Sequence, residues 1–427
     1  MGFVLPAAPP AGAITAEALT TETLSSGSQV VSLELPEAPL ICVDLWCRAG
    51  SAFESPSESG LAHFLEHMVF KGSERQAAGE FDLNIEALGG SSNAATGFDD
   101  VHYHVLVPPE AAAEATSLLL DLVLQPRLSG DDFDLERGVV LEELAQSQDQ
   151  PDELALQTLL QLGCKEHPYG RAILGEQAQL LAHTPTEMRR FQQRRYRGAN
   201  CVLSLCGALG QARLEPLLAG LQHSPLNALE PSCPGPEPAT LALTPGVHRR
   251  PFARLEAARL LMAWSLPPAA DRSGLAALDL ATSLLAEGRR SRLVERLREQ
   301  LRLVESIDLD LQVLEFGSLA LLEAVCDPAD IEQVRQEVNA VLEQAIAIAP
   351  GEQELSRGLS LVCNGYRFGL ESAAGVAGVL GNSALWGRPL DLGEPLALLQ
   401  AVDARALERA FQQLDPAKAC VLEAMPA

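Results

Sequence analysis

The chain has 427 residues, 47 % hydrophobic and 21 % charged, a globular composition too long for one ordinary core, so two domains are expected. The formal net charge of −26 excludes the basic face that nucleic-acid binding requires. Acidity of this kind mainly keeps a chain soluble, and it permits long-range attraction of basic peptides.

The N-terminal stretch MGFVLPAAPPAGAITAEALTTETLSSG has no basic residue, and the first in the chain is Arg48. Neither a secretory signal nor an arginine-rich transit peptide is expected there. Position 6 is Pro6, without the Ser or Thr of a myristoylation pattern. No apolar run reaches the roughly 18 residues of a membrane span, so no membrane association is expected. Nine cysteines form an odd set without C-x-x-C, several in strand-like runs such as LICVDLWC and CVLSLC. They read as small buried hydrophobes in a reducing compartment, which suits a cytoplasmic protein.

Continuing along the chain, QVVSLELPEAPLICVDLWCRAG and VHYHVLVP are β-like, and helices are predicted from about Gly60 and about Glu110. A further helix, capped by Asp131 or Asp132, is predicted to run to about Gln148, ahead of Pro151, and NCVLSLCG is a later strand. Residues 223–251 hold seven prolines and mark a linker. Beyond it come strand-like RLLMAWSLP, helical SGLAALDLATSLLAEG, strand-like SIDLDLQVLEFGSLALLEAVC, helices after Pro328 and a final ACVLEAM. SGLAHFLEH (Ser59–His67) aligns with SGLAALDLA (Ser273–Ala281), each a similar distance after an apolar strand. The chain therefore reads as two copies of one α+β unit: residues 1–222, a linker at 223–250, and residues 251–427, whose copy lacks the polar triplet.

That triplet is His63, Glu66 and His67 within SGLAHFLEHMVFKG. Ser57 or Ser59 is the expected helix cap, and Lys71-Gly72 the expected stop. On a helix, His63 and His67 stand one turn apart on one face, with Glu66 beside them. Two imidazoles so placed suit one zinc ion, and the order H-x-x-E-H is the inverzincin signature. A catalytic zinc site wants a third protein ligand. DDFDLERGVVLEELAQSQDQP offers Glu136 and Glu143, two turns apart on one face. Glu142 is the rival, and Glu143 is preferred because its pairing with Glu136 leaves Glu142 outward.

HFLEHMVFKG with ERGVVLEE, together with EFDLNIEALGGSSNAATGFDDVHYHVLVP and HPYGRAILG, resembles the pitrilysin family of zinc peptidases, in particular the short two-domain branch that includes mitochondrial processing peptidase. The resemblance implies an α+β fold of two homologous domains, each an antiparallel sheet with helices packed on one face: the LuxS/mitochondrial-processing-peptidase-like metallohydrolase fold. It implies one Zn2+ per chain on His63, His67 and Glu143, with Glu66 as general base and Glu136 as a supporting acid. Asn93 and Ala94 match the edge strand that such enzymes pair with an extended peptide inside a closed chamber. Members of the family carry an arginine and, seven residues later, a tyrosine in the second half. Here Arg298 stands at the first position and Glu305 at the second, where a carboxylate would oppose the developing anion. Two accounts of that substitution remain: a heterodimer whose zinc-less homologous partner supplies the arginine–tyrosine pair, or a weakly active homodimer. A non-catalytic assembly subunit is the rival reading, set against the retention of His63, Glu66, His67 and Glu143. His102 and His104, alternating on one strand, are expected to be structural. His167 and Tyr169 read as turn residues, and AEGRRSRL (Ala286–Leu293) as a substrate loop or a basic helix start.

Overall fold

The computed structural model describes residues 19–232 and 237–427; Cys233 and most of the N-terminal stretch read above for targeting signals lie outside the described residues. The first half contains β1 (Leu19–Thr23), β2 (Gln29–Glu34), β3 (Ile41–Cys47), α1 (Leu61–Val69), α2 (Glu80–Ala87), β4 (Ser91–Thr96), β5 (Val101–Val107) and α3 (Ala112–Leu124). It continues with α4 (Gly130–Asp149), α5 (Pro151–Cys164), α6 (Gln177–Ala182), α7 (Pro185–Arg195), β6 (Cys201–Gly207) and α8 (Gly210–Leu221). The second half contains β7 (Gly246–Phe252), β8 (Ala258–Leu266), α9 (Arg272–Ala286), β9 (Val304–Gln312), β10 (Ser318–Cys326), α10 (Ile331–Ala347) and α11 (Glu352–Gly369). It ends with α12 (Ala373–Leu385), α13 (Glu394–Gln400), α14 (Ala404–Gln413) and β11 (Cys420–Pro426).

Strand composition dictates strand position. ICVDLWC and CVLSLCG are buried at every residue and form the central strands β3 and β6, covered on both faces. VHYHVLV alternates: Val101, Tyr103, Val105 and Val107 are buried and the residues between them half-buried. SSNAAT has no fully buried residue and lies at the sheet edge as β4. The first sheet runs β1-β2-β6-β3-β5-β4 and the second β7-β11-β8-β10-β9. Without β1, the two orders superimpose strand for strand. Each sheet is antiparallel except for one pair, β2 with β6 and β7 with β11. The duplicated unit thus extends to the placement of its single parallel pair.

Each sheet buries one face under its own helices, Phe64, Leu65 and Met68 of α1 being fully buried in the first core. Burial of each such side chain contributes about 1.5–3 kcal/mol. The second face is covered by the other half. Helix α12 lies on Val31, Leu33, Cys42 and Trp46 of the first sheet, and α5 on Leu261, Ala263, Leu422 and Ala424 of the second. Helices are therefore exchanged between halves, and the expectation of helices on one face needs this addition. The sequence of α12, AAGVAGVLGNSAL, is small enough for close approach. A Cβ on Gly381 would sit 2.4 Å from the Trp46 ring.

The halves also meet through their hairpin turns. Asp99 accepts from the Glu315 N–H (2.7 Å) and the Tyr169 hydroxyl (2.6 Å), and Arg48 pairs with Glu315 (2.7 Å). Tyr169 lies in the short turn Pro168–Gly170, as expected, and is also a fully buried tie between the halves. Strand β7 begins inside the expected linker, and the long strand-like run after Glu305 divides into the hairpin β9–β10, turning at Gly317 (φ +136°). Among the described residues, eight cysteines are buried and form no disulfide, and no helix is long and apolar enough to cross a membrane.

Candidate active site

Helix α1 starts at Gly60 in the left-handed region (φ +83°), where a Cβ would also lie 2.7 Å from the Leu174 carbonyl oxygen. Neither Ser57 nor Ser59 caps it. The carboxylate of Glu54 does, accepting from Gly60 N–H (3.0 Å) and Ala62 N–H (2.6 Å) against the positive end of the helix. Burial pushes the Glu54 carboxyl up to about 8, against the pull of those two N–H groups. The helix ends at Phe70, just before the expected stop. Its apolar side is held by the core, which turns His63, Glu66 and His67 toward α4 and β4.

Ser129, not Asp131 or Asp132, caps α4 through a bond from the Asp132 N–H (3.2 Å). Two turns of that helix bring Glu136 and Glu143 to the histidines. Glu143 Oε2 lies 3.3 Å from His67 Nε2, and Oε1 lies 3.7 Å from His63 Nε2. One donor atom from each of the three lies within 4.8 Å of the others. Glu142 is exposed. The buried Glu136 accepts from His67 Nδ1–H (3.0 Å) and pairs with Lys71 Nζ (2.6 Å), which aims Nε2 of His67 at Glu143. Burial and the neighbouring His67 depress the His63 pKa to about 4, so this imidazole is neutral and its lone pair free at neutral pH. Its Nδ1 is buried without a hydrogen-bond partner among the described residues. Burial raises the Glu66 carboxyl, opposed by the Thr96 hydroxyl that donates to it and by His67. Two nitrogens and a carboxylate oxygen are the donors zinc takes in open, catalytic sites, so the residues present fit the metal.

Asn93 and Ala94 lie on β4, whose outer edge is unpaired in the sheet, and Asn93 Oδ1 accepts from Ala94 N–H (2.9 Å). Arg298 lies on a wide π-type turn of helix at Val294–Gln300, its guanidinium bound to Glu299 (2.9 Å) and not joined to the histidine cluster. Glu305 is exposed on β9, the edge of the second sheet. The sequence reading missed Glu54, Lys71 and Thr96. Only Lys71 had a local signal, one turn beyond His67.

A family model described as insulinase, peptidase family M16, matches residues 29–177, and one described as peptidase M16 inactive domain matches residues 183–361. The chain belongs to peptidase family M16, the pitrilysin family. Within M16, it is 29 % identical over 363 residues to an uncharacterized zinc protease of Mycobacterium leprae, covering 85 % of this chain and 81 % of that protein. An uncharacterized zinc protease of Streptomyces coelicolor is 25 % identical over 405 residues, 91 % and 86 % of the two chains. A probable mitochondrial-processing peptidase subunit beta of Arabidopsis thaliana is 31 % identical over 187 residues, 44 % of this chain and 35 % of that one. The M16 fold is shared with a solved protease from Helicobacter pylori, at a TM-score of 0.86 and 23 % identity, covering 96 % of this chain and 99 % of that one.

Proposed function

We propose that this M16 member is a zinc-dependent endopeptidase of the cytoplasm, cleaving extended peptides or flexible termini in a closed chamber as the catalytic subunit of a heterodimer. The observation that carries the reading is the convergence of His63, His67 and Glu143 beside Glu66, four polar side chains from two helices meeting at the edge of a sheet. Zinc, when bound there, polarises a scissile carbonyl and acidifies water. Glu66, held by Thr96, takes the proton of the attacking water and returns it to the leaving amine. Glu136 fixes the tautomer of His67, and Lys71 pairs with Glu136 beside it. The free edge of β4 offers main-chain partners to any extended peptide, so Asn93 and Ala94 are its expected contacts, and selectivity comes from side-chain pockets.

Glu66→Gln is expected to lower cleavage about 10²- to 10⁴-fold with bound zinc unchanged. Turnover retained in that variant would remove the proposed base. The exposed Glu305, a carboxylate where relatives place a phenolic donor, favours a divided site in which a zinc-less homologue supplies the arginine–tyrosine pair. Co-expression with such a homologue is then expected to raise activity strongly. Full activity of the chain alone would favour the homodimer instead.

A further inference from the structure

The strand β5 carries a second pair of histidines that the proposed chemistry does not use. His102 and His104 are two residues apart, so both project from the sheet face opposite that of the core residue Tyr103. The strand register sets His104 opposite Asp44 of β3 and Asn93 of β4. Asp44 is the one charged residue in the otherwise apolar strand ICVDLWC, and it is 2 % exposed. A carboxylate in that position needs compensation. Its Oδ1 lies 3.0 Å from His102 Nδ1, and one donor atom each from Asp44, His102 and His104 lie within 4.8 Å of one another. His104 Nδ1 is buried without a hydrogen-bond partner among the described residues.

The cluster is held in place by stacking. Trp46 stacks on His102 with ring centroids 4.3 Å apart, and the His102 and His104 rings lie at 16° to each other, 5.6 Å apart. Helix α12 presses Gly378 and Gly381 against Trp46, and both histidines beyond are left half-exposed.

We propose that Asp44, His102 and His104 form a second cation site, for a divalent transition metal of the zinc type, on the sheet face opposite His63, His67 and Glu143. The donor set is the same, two imidazole nitrogens and one carboxylate oxygen, with strand spacing in place of helical spacing. Tetrahedral bonds of about 2.0–2.2 Å place donors roughly 3.3 Å apart. The 3.0 Å between Asp44 Oδ1 and His102 Nδ1 is that of a hydrogen bond, so an ion entering there displaces the shared proton, spreads the pair slightly and draws His104 in. An ion bound there neutralises Asp44 and ties β5 to β3 directly behind the edge strand β4.

The test is a zinc titration of the full chain, with bound metal counted after dialysis, in wild type, His67→Ala, His104→Ala and the double variant. The expected stoichiometries are two, one, one and none. His104→Ala binding as many ions as wild type would overturn the second site, whatever the total. A wild type holding one ion, lost in His104→Ala and kept in His67→Ala, would support this site and sink the catalytic-site reading. The opposite pattern would do the reverse. His104→Gln and His102→Gln serve if the alanine variant does not fold. A melting measurement gives an independent readout: zinc is expected to raise the Tm of His67→Ala and not of His67→Ala/His104→Gln. An equal rise in both would overturn the proposal.

Discussion

Helices α1 and α9 hold the same place in two copies of one unit, and only one of them carries polar groups built for chemistry. Aligned on their shared SGLA start, His63, Glu66 and His67 of α1 face Ala277, Leu280 and Ala281 of α9. The three residues of α9 are at most 1 % exposed and lie in the second core. The polar version is held by supports the apolar version lacks: the Glu54 cap, the Thr96 hydroxyl, and Glu136 with Lys71. The α9 version needs only a cap, which Asp271 supplies to Gly274 N–H (3.0 Å). A half-buried constellation of titratable groups thus rests on a shell of dedicated partners, and a duplicated helix freed of the chemistry returns to hydrophobic packing.

The largest expected effect breaks the comparison outright. Leu280→Glu puts a carboxylate into α9 at the position of Glu66 without Thr96 or a metal near it, and should cost about 3–5 kcal/mol in urea unfolding. The mirror change, Glu66→Leu, should move stability by less than about 1 kcal/mol, because Glu66 is half-buried at a sheet edge, while cleavage is lost.

A smaller effect comes from Asp279, the carboxylate within α9. It has no hydrogen-bond or ion-pair partner among the described residues, and burial, with a lesser push from Glu287, lifts it from 3.8 to about 6. Since the folded pKa lies above the unfolded one, the folded state holds the proton more tightly. The stability this group contributes is therefore complete below about pH 3.8 and is lost as pH rises through about 6. Asp279→Asn should exceed wild type by about 2–3 kcal/mol at pH 8, with the gap closing toward pH 4, in unfolding followed across that range.

The exchanged helices supply the smallest and sharpest contrast. Gly381→Ala forces a methyl group onto the Trp46 ring and should cost about 1–3 kcal/mol. Gly163→Ala, the equivalent change in α5, meets Leu243 and Cys420 at 3.1–3.2 Å and should cost under about 1 kcal/mol, read from paired thermal melts.

Much of this architecture is visible in local patterns. The i, i+4 histidines, the seven-residue spacing of Glu136 and Glu143, and the alternation of VHYHVLV each specify an element and a face, whereas the edge strand SSNAAT is legible only through the family resemblance. What local patterns leave out is who stands across from whom. Asp44 is 58 residues from His102, and only the register of β3 against β5 joins them, so a histidine pair expected to be structural acquires a carboxylate. Glu54 precedes its helix by more than a turn and looks like any loop acid. The exchange of α5 and α12 leaves no mark in either helix beyond an apolar face that could serve either sheet.

That exchange also governs how the chain comes into being. When the ribosome has released only the first half, the sheet surface bearing Val31, Leu33, Cys42 and Trp46 is still bare, because its cover lies in a segment not yet translated. The nascent first half thus carries an apolar flank until α12, deep in the second half, has emerged to cover it.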